Sequence, residues 1–381
     1  MAVARLRQAL PLTQRCTYFQ TGSLGPTPAP ALDEMAQARA ELQWRGPAAL
    51  DLLRKWLQRG ETARSGLAAL LGVTPDNIAW TVNTSQGIRD VVRGLGWAAG
   101  DEILTSDLEH VGTRGLWEGL TQAFGVRVRV VAAGATDDGF LERLRRAYSP
   151  RTRLLFLSHV SCVNGQRLPI AQAIADARER GVLTAMDGAQ AVGQFAVNVA
   201  ELGADFYIGS AHKWLLGPMG LGYVVVAPSA LTSFNPALTP LDPAPDAVPL
   251  SAARRAEVGT TDVSLRVGLA RTLELLAEVG WDVLEDQMRQ ATACLRAGLA
   301  ELPGVQTLAP LPWLHSSAIT SFVVQGWDAA RHQALVDELY ATERIIIKFQ
   351  PEFAGIRVST AGFNTQDDVD HLLTALRPRL P

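Results

Sequence analysis

Cysteine is scarce in this chain of 381 residues, which contains only Cys16, Cys162 and Cys294. The three are far apart and odd in number, so they do not form the paired framework of a disulfide-rich secreted domain. Unpaired cysteines are typical of a reducing compartment, and we therefore expect a cytoplasmic protein.

No charge of one sign dominates the sequence, and long apolar runs are absent. Lys and Arg number 35 against 38 Asp and Glu, giving a net charge of −3, which offers no argument for nucleic-acid binding. No run reaches the roughly 18 apolar residues that a membrane helix requires, and the first residues lack the apolar core of a signal peptide. With 48% hydrophobic and 19% charged residues, the length favours a globular protein with a large and a smaller domain.

Three short apolar runs follow one another in the stretch 183–226, and glycine bounds each of them. Such runs are typical of strands that are buried on both faces of a sheet. Polar residues come where the runs end, and in open parallel sheets ligands bind at the carboxyl ends of the strands. We therefore expect the following residues to share one rim of an α/β sheet: Asp187, Gln190, Ser210, His212 and Lys213.

A lysine and a carboxylate on such a rim indicate a particular chemistry. A crowded lysine loses its proton easily and attacks carbonyl groups, and a buried carboxylate suits a bound cation. Pyridoxal phosphate (PLP) needs both, a lysine for its Schiff base and an acid for its pyridinium nitrogen. The alternative is a core aspartate that caps a turn and a surface lysine. The full order Asp…Gln…Ser-x-His-Lys is far more specific than either residue alone.

This stretch resembles the core of class V, fold-type I, PLP-dependent enzymes, a family of aminotransferases, cysteine desulfurases and isopenicillin N epimerase-like proteins. The resemblance implies that Lys213 is the Schiff-base lysine and that Asp187 pairs with the pyridine nitrogen. It also implies that Gln190 contacts the ring oxygen and that Ser210 and His212 contact the phosphate.

The resemblance extends from about residue 17 to the end of the chain. It implies an α/β fold in which residues 17–250 form a large PLP-binding domain with a mainly parallel sheet flanked by helices. Residues 251–381 are then a long connecting helix and a smaller α+β domain, and residues 1–16 an N-terminal arm.

A hydroxyl-rich turn, Asn83-Thr84-Ser85-Gln86-Gly87, connects a predicted strand to a predicted helix. Free amides and the helix dipole favour an anion at such a place, although N-capping by Thr84 or Ser85 would use the same hydroxyls. The family holds the PLP phosphate at a turn of this kind, and the resemblance therefore implies that Thr84 and Ser85 are phosphate ligands.

His110 follows the next predicted strand, directly after Glu109. It could be a base, a metal ligand, a stacked ring or a satisfied core residue, but no partner with metal-ligand spacing is visible. Related desulfurases place a histidine flat against the PLP ring, and the resemblance implies this role for His110, with assistance in proton transfer.

Glycines and prolines shape the segment 17–28, which we predict to be a loop. Gly22 and Gly25 permit unusual backbone angles, and the prolines stop a helix. Similar openings lie near the substrate in the family, which implies substrate contacts for Thr21, Gly22 and Ser23.

Arg357 lies in a predicted strand, 355–359, near the end of the chain. Arginine holds carboxylates with a two-pronged fork, while a solvated strand arginine is the alternative. The resemblance implies that Arg357 binds the α-carboxylate of the substrate.

Thr260 precedes a long predicted helix, and the resemblance implies that it reaches the phosphate of the neighbouring subunit's PLP. We therefore expect a homodimer with shared active sites. The proline-rich segment from Ser233 to Leu250 is predicted to be a mobile loop.

Cys162 departs from the family pattern, because desulfurases carry an asparagine there that contacts the ring oxygen of the cofactor. Asn164 is two residues away, which is a different place. A small buried residue is the simplest interpretation of Cys162, and the departure favours the epimerase-like branch.

The shared chemistry acts at Cα of an amino acid, with Lys213 as the base for the Cα proton. We expect an aminotransferase first, as the commonest outcome, with a carbon–sulfur β-eliminating lyase or an epimerase as alternatives. The segment 295–381 contains no cysteine, which argues against a persulfide-forming desulfurase. A PLP-sensing regulator or a degenerate scaffold is disfavoured, because no DNA-binding segment is appended and Lys213 and Asp187 are intact.

Overall fold

The computed structural model describes residues 2–134, 136–236, 251–309 and 312–381. Its helices are α1 (Ala2–Ala9), α2 (Ala29–Arg45), α3 (Leu50–Leu71), α4 (Thr84–Arg93), α5 (Gly112–Phe124), α6 (Asp137–Ala147), α7 (Ile170–Glu179), α8 (Val199–Leu202), α9 (Ala252–Ala256), α10 (Val263–Val279), α11 (Trp281–Ala300), α12 (Ala329–Glu343) and α13 (Gln366–Leu376). Its strands are β1 (Thr17–Tyr18), β2 (Ile78–Thr81), β3 (Glu102–Ser106), β4 (Arg127–Val131), β5 (Thr152–Ser158), β6 (Leu183–Asp187), β7 (Phe206–Ser210), β8 (Gly222–Val226), β9 (Val305–Leu308), β10 (Ile319–Val324), β11 (Ile345–Ile346), β12 (Lys348–Gln350) and β13 (Gly355–Ser359).

A seven-stranded sheet with the order β2-β8-β7-β6-β5-β3-β4 forms the centre of the protein. Strand β8 is antiparallel to both of its neighbours, and the other strand pairs are parallel. Strands β7 and β8 are buried along their whole length, and β6 is buried from its second residue onward. Helices cover both faces, so the apolar runs form the doubly covered strands that the sequence predicts, and the α/β class is confirmed.

A smaller antiparallel sheet with the order β12-β13-β10-β9 belongs to the C-terminal part of the chain. Its apolar face packs on α11, α12 and α13 around Phe322, Leu339 and Leu372. The strand predicted at 355–359 has the same bounds in the structure, where it is β13. The sequence did not predict β9, α5 or α7.

The two ends of the chain meet at this smaller sheet. Strand β1 pairs in parallel with β11, and Gln20 forms an isolated bridge with Ser359. Arg7 Nη1 and Asp368 Oδ2 form an ion pair of 2.6 Å between the N-terminal helix and α13. The division into an arm, a large domain and a C-terminal domain stays a prediction.

The proline-rich segment predicted as a loop from Ser233 to Leu250 lies outside the described residues from position 237 onward. Within the described ranges, no helix is both long enough and apolar enough to span a membrane.

Candidate active site

A cavity of about 600 Å³ opens where β5, β6 and β7 end. The structure brings together on its wall all five residues of the expected rim, joined by His110 and by the start of α4. Its lining includes Asn83, Thr84, Ser85, Arg89, His110, Ser158, Cys162, Asp187, Ala189, Gln190, Ser210, His212 and Lys213. A second cleft of about 630 Å³, between α3 and α10, is mainly apolar and contains no lysine.

Lys213 lines the cavity, and its amine is buried within the protein. Burial is the main cause that lowers the pKa of its ammonium, and the Asp187 carboxylate partly counteracts this shift. The lysine is therefore deprotonated more easily than a surface lysine, as a nucleophile and a base require.

The N-terminal loop packs directly against the backbone of Lys213. The amide of Gly25 donates to the carbonyl of His212 at 2.7 Å, and a Cβ at Gly25 would come within 2.1 Å of the Lys213 carbonyl oxygen. A Cβ at Gly22 would lie 2.7 Å from Ser359 Oγ. Neither glycine has a positive φ, so the backbone freedom that glycine permits is not used in that way here. Close approach is the physical reason for glycine at both positions.

Asp187 is the last residue of β6 and is buried at the floor of the cavity. Its Oδ1 accepts a hydrogen bond of 2.9 Å from the amide of Ala189. Among the described residues, no hydrogen bond engages Oδ2. The carboxylate thus stabilises the turn after β6 with one oxygen and keeps the other for a cationic or N–H group in the cavity.

Helix α4 directs its first turn into the cavity, and Asn83 is its N-cap. Asn83 Oδ1 accepts from the amide of Gln86 at 2.8 Å, so the alternative of capping by Thr84 or Ser85 was wrong. Thr84 Oγ1 lies 2.6 Å from Ser210 Oγ, and Ser85 is exposed on the cavity wall. Because the cap is already provided, the hydroxyl of Ser85 and the start of the helix remain available to an anion.

His212 closes the same side of the cavity. Its Nδ1 lies 3.2 Å from the carbonyl oxygen of Leu221. Burial, and then the charge of Lys213, lower the pKa of its imidazole. We define the anion cup as the side chains of Thr84, Ser85, Ser210 and His212. These side chains are therefore all neutral at neutral pH.

His110 is exposed on the cavity wall, so the alternative of a satisfied core histidine was wrong. Its Nδ1 accepts from the amide of Gly112 at 3.0 Å, which leaves the proton of a neutral ring on Nε2. The surrounding protein, and then Lys213, lower the pKa of the imidazole.

Glu109 directly precedes this histidine, and the sequence pattern predicted no separate role for it. Its carboxylate accepts hydrogen bonds of 2.6 Å from Ser106 at the end of β3 and from Ser158 at the end of β5. Burial raises the pKa of Glu109 to about 7 despite these hydrogen bonds, and the charge of Asp187 adds to the rise. The motif Glu-His was visible in the sequence, but the two serine partners come from the fold.

Gln190 connects the cavity floor to the N-terminal loop. Its Nε2 donates to the carbonyl of Gly22 at 2.8 Å, and its Oε1 accepts from Trp214 Nε1 at 2.7 Å. Trp214, next to the lysine, orients the Gln190 amide through this hydrogen bond, and the sequence pattern did not predict its role. One N–H of the Gln190 amide has no partner among the described residues.

Arg357 is only 2% exposed, so the alternative of a solvated strand arginine was wrong. Its Nη1 donates to the carbonyl of Cys162 at 3.0 Å and its Nη2 to Ser23 Oγ at 2.7 Å, while its Nε has no partner. None of the carboxylates in the described ranges forms an ion pair with it. Burial lowers its pKa, and its charge is close enough to Lys213 to lower that pKa as well.

Unpaired polar atoms collect around this arginine. Thr21 Oγ1 and Ser359 Oγ are also buried without hydrogen-bond partners in the described structure. A buried cation and unsatisfied hydroxyls are costly unless a ligand completes them. The arrangement is typical of a carboxylate-binding site in which the bound ligand completes the missing hydrogen bonds.

Lys348 was missed by the sequence analysis although it lies directly across from Arg357 in the β12–β13 pair. Residues directly opposite in antiparallel strands share one face of the sheet. Burial, and then the charge of Arg357, lower the pKa of Lys348. Its strand position could have been predicted, but its pairing register could not.

Cys162 lines the cavity, and burial raises the pKa of its thiol, so it is a poor nucleophile. Asn164 Oδ1 accepts from the amide of Gln166 at 3.0 Å, and Asn164 does not line the cavity. Thr260 lies in a different cleft, of about 790 Å³, on the surface of the same chain.

These residues fit PLP on features of this chain alone. Lys213 provides an amine with a lowered pKa, and Asp187 keeps a free oxygen on the cavity floor. The capped start of α4 provides an anion site, and the cavity is large enough for an aromatic ring between the two.

The fold and this constellation define a PLP-dependent enzyme of fold type I. The chain belongs to the class V aminotransferase family, whose model matches residues 26–372. It is accordingly a PLP-dependent enzyme.

Three proteins illustrate what the chain is similar to. Isopenicillin N epimerase of Amycolatopsis lactamdurans is 33% identical over 99% of this chain and 98% of its own length. Probable cysteine desulfurase 2 of Mycobacterium leprae is 28% identical over 94% of this chain and 90% of its own length. A solved structure of the cystine C-S lyase C-DES with its product cysteine persulfide has a TM-score of 0.89 at 29% identity and covers 98% of this chain and all of its own. A mutant of C-DES with glycine covalently linked to its PLP cofactor has a TM-score of 0.90 at 28% identity, covering 97% and 98%.

Proposed function

We propose that this enzyme removes the Cα proton of an α-amino acid, with Lys213 as the residue that would hold PLP and act as the base. The observation that carries the proposal is Arg357, a buried guanidinium without a carboxylate partner in the described structure, close to Lys213. A substrate carboxylate would complete it, and this fixes the substrate's Cα near the lysine.

PLP, when bound, supplies an electron sink for the bond that breaks at Cα. Asp187 would hold its pyridine nitrogen in the protonated form, and the free N–H of Gln190 would face its ring oxygen. The anion cup would hold its phosphate, with Thr260 of a neighbouring subunit. His110 would cover one ring face, because its neutral ring is exposed on the cavity wall.

Proton transfer would rest on Lys213. Its lowered pKa keeps a fraction of the amine neutral near neutral pH, so it can accept the Cα proton. Arg357, Ser23 and Thr21 would fix the carboxylate, and Gly22 would allow the loop to approach it.

We propose carbon–sulfur β-elimination as the reaction, supported by the similarity of the whole chain to the cystine C-S lyase C-DES. Lys213 would take the Cα proton, a Cα–Cβ double bond would form, and the Cβ–S bond would break with its electron pair leaving on sulfur. The sulfur is protonated by the lysine, and water releases a keto acid and ammonia. No enzyme thiol is needed, in keeping with the raised pKa of Cys162.

Epimerisation is the second candidate, favoured by the 33% identical isopenicillin N epimerase. Transamination, the reaction expected first from the sequence, is the third candidate. The panel of amino-acid substrates described below distinguishes the three reactions.

We also propose a homodimer, because Thr260 lies away from the Lys213 cavity of its own chain and would serve the site of a neighbour. A cytoplasmic location remains our proposal from the unpaired cysteines. Size-exclusion chromatography with light scattering tests the dimer, and a monomer with full activity contradicts it.

The purified enzyme and its Lys213→Ala variant should first be compared by visible absorption, with Lys55→Ala, a surface lysine in α3, as the matched control. Wild type and the control should be yellow, and Lys213→Ala should lose the band. A panel of L- and D-amino acids, including cystine, then separates the reactions. Keto acid and ammonia without loss of the yellow form support elimination, inverted stereochemistry supports epimerisation, and bleaching with keto acid alone supports transamination. A wild-type protein that binds no PLP contradicts the proposal.

A further inference from the structure

The anion cup has no cationic side chain of its own. Its members are three hydroxyl residues and His212, whose pKa is lowered. A phosphate monoester carries about −1.5 to −2 charges at pH 7, whereas a helix N-terminus supplies roughly half a positive charge. An anion that is partly withdrawn from water needs more compensation than this.

Two cationic side chains line the cavity among the described residues, Lys213 and Arg89. Lys213 is committed to the carbonyl chemistry of the proposed function. Arg89 is therefore the cation that remains for an anionic ligand at the start of α4.

The geometry of α4 directs Arg89 toward the cup. Arg89 follows Ser85 by four residues, and residues four apart lie on the same face of a helix. Helical side chains lean back toward the N-terminus, so the Arg89 side chain is long enough to reach the turn that contains Ser85.

Arg89 is also free to bind. Its ion pair with Asp90 is long, with 3.9 Å between Arg89 Nε and Asp90 Oδ1, and the Arg89 side chain is 54% exposed. Such a long, solvated pair contributes little, and it would not hold the guanidinium away from a phosphate.

We propose that Arg89 is a phosphate-binding residue of the cofactor site, the one that adds a full positive charge to a cup of neutral side chains. The proposal rests on the proposed function, since it takes PLP to be the ligand of this cavity. It is separate from the reaction chemistry, because Arg89 acts on the phosphate and not on Cα.

The test measures affinity, not turnover. Apoenzyme is titrated with PLP and with pyridoxal, the same aldehyde without phosphate, and the dissociation constants are obtained from absorbance. We expect Arg89→Met to weaken PLP binding about tenfold and Arg89→Lys to weaken it less, while pyridoxal binding is unchanged. Added inorganic phosphate should compete with PLP in the wild type and compete less well in Arg89→Met.

Arg93→Met is the matched control, because Arg93 is exposed one turn further along α4 and does not line the cavity. It should bind PLP like the wild type. Equal PLP affinity in Arg89→Met, or an equal loss of pyridoxal affinity, overturns the assignment of Arg89. A wild-type protein that binds neither aldehyde contradicts the proposed function instead.

Discussion

Arg357→Met separates substrate binding from structural support. The guanidinium is 2% exposed, has no ion pair within the described residues, and makes its two hydrogen bonds to Cys162 O and Ser23 Oγ. Replacing a buried charge by an apolar side chain of similar length often changes stability little, because the cost of desolvating the charge disappears. We therefore expect the free energy of unfolding to change by about 2 kcal/mol or less.

Catalysis should respond much more strongly. Two charge-assisted hydrogen bonds to a substrate carboxylate, at about 1.5–3 kcal/mol each, amount to about 3–6 kcal/mol. Since each 1.36 kcal/mol corresponds to tenfold in rate, kcat/KM should fall by roughly 10²- to 10⁴-fold.

The assay compares an amino acid with the amine that lacks its carboxylate, by following the absorption change of the bound cofactor. The wild type should strongly prefer the amino acid, and Arg357→Met should lose that preference. Arg296→Met is the control, because Arg296 donates to backbone carbonyls of Ser317 and Ile319 and so has a structural role. It should lower stability without removing the preference. Retained discrimination in Arg357→Met, together with marked unfolding, would refute the reasoning.

Three further predictions follow from the site. Glu109→Gln removes a carboxyl whose pKa is raised from its ordinary value of 4.5 to about 7 in the folded protein. Its contribution to stability is fully present below about pH 4.5 and is lost as pH rises to about 7. The thermal midpoint of the wild type should therefore fall relative to that of the variant between about pH 4.5 and 7, and parallel curves across this range would contradict the prediction. Lys348→Met should raise KM about tenfold for substrates with a second acidic group and leave neutral amino acids unchanged, as steady-state kinetics will show. Asn83→Ala should cost about 1 kcal/mol in urea unfolding, whereas Asn83→Asp, which keeps a capping oxygen, should not.

The sequence was most informative where one short segment contains both the strand and the residue that follows it. Asp187 ends β6 and Lys213 follows the end of β7 by three residues, so the sheet places both on one rim. For Thr84 and Ser85 the pattern predicted the helix start but not the cap, because Asn83 and the two hydroxyl residues are all good capping residues.

Contacts between distant segments were beyond the sequence pattern. Lys348 faces Arg357 only through the β12–β13 register, and Glu109 meets Ser158 only because β3 and β5 are neighbours in the sheet. Gly22 and Gly25 show the same limit, since their function is to admit backbone and side chains that come from elsewhere in the chain. Periodicity describes single elements, whereas these contacts depend on how the elements assemble.

The hydrogen bond between Arg357 and Ser23 has a consequence for biosynthesis. The two residues are 334 positions apart, yet they meet in the proposed carboxylate site. At about 5–20 residues per second, a ribosome adds the intervening chain in tens of seconds. The loop that contains Ser23 can therefore form this hydrogen bond only after β13 has been synthesised. Nascent chains halted before Arg357 should therefore lack substrate binding, whatever the state of the central sheet. Under the proposed function, selectivity for carboxylates would therefore arise only after Arg357 has been synthesised.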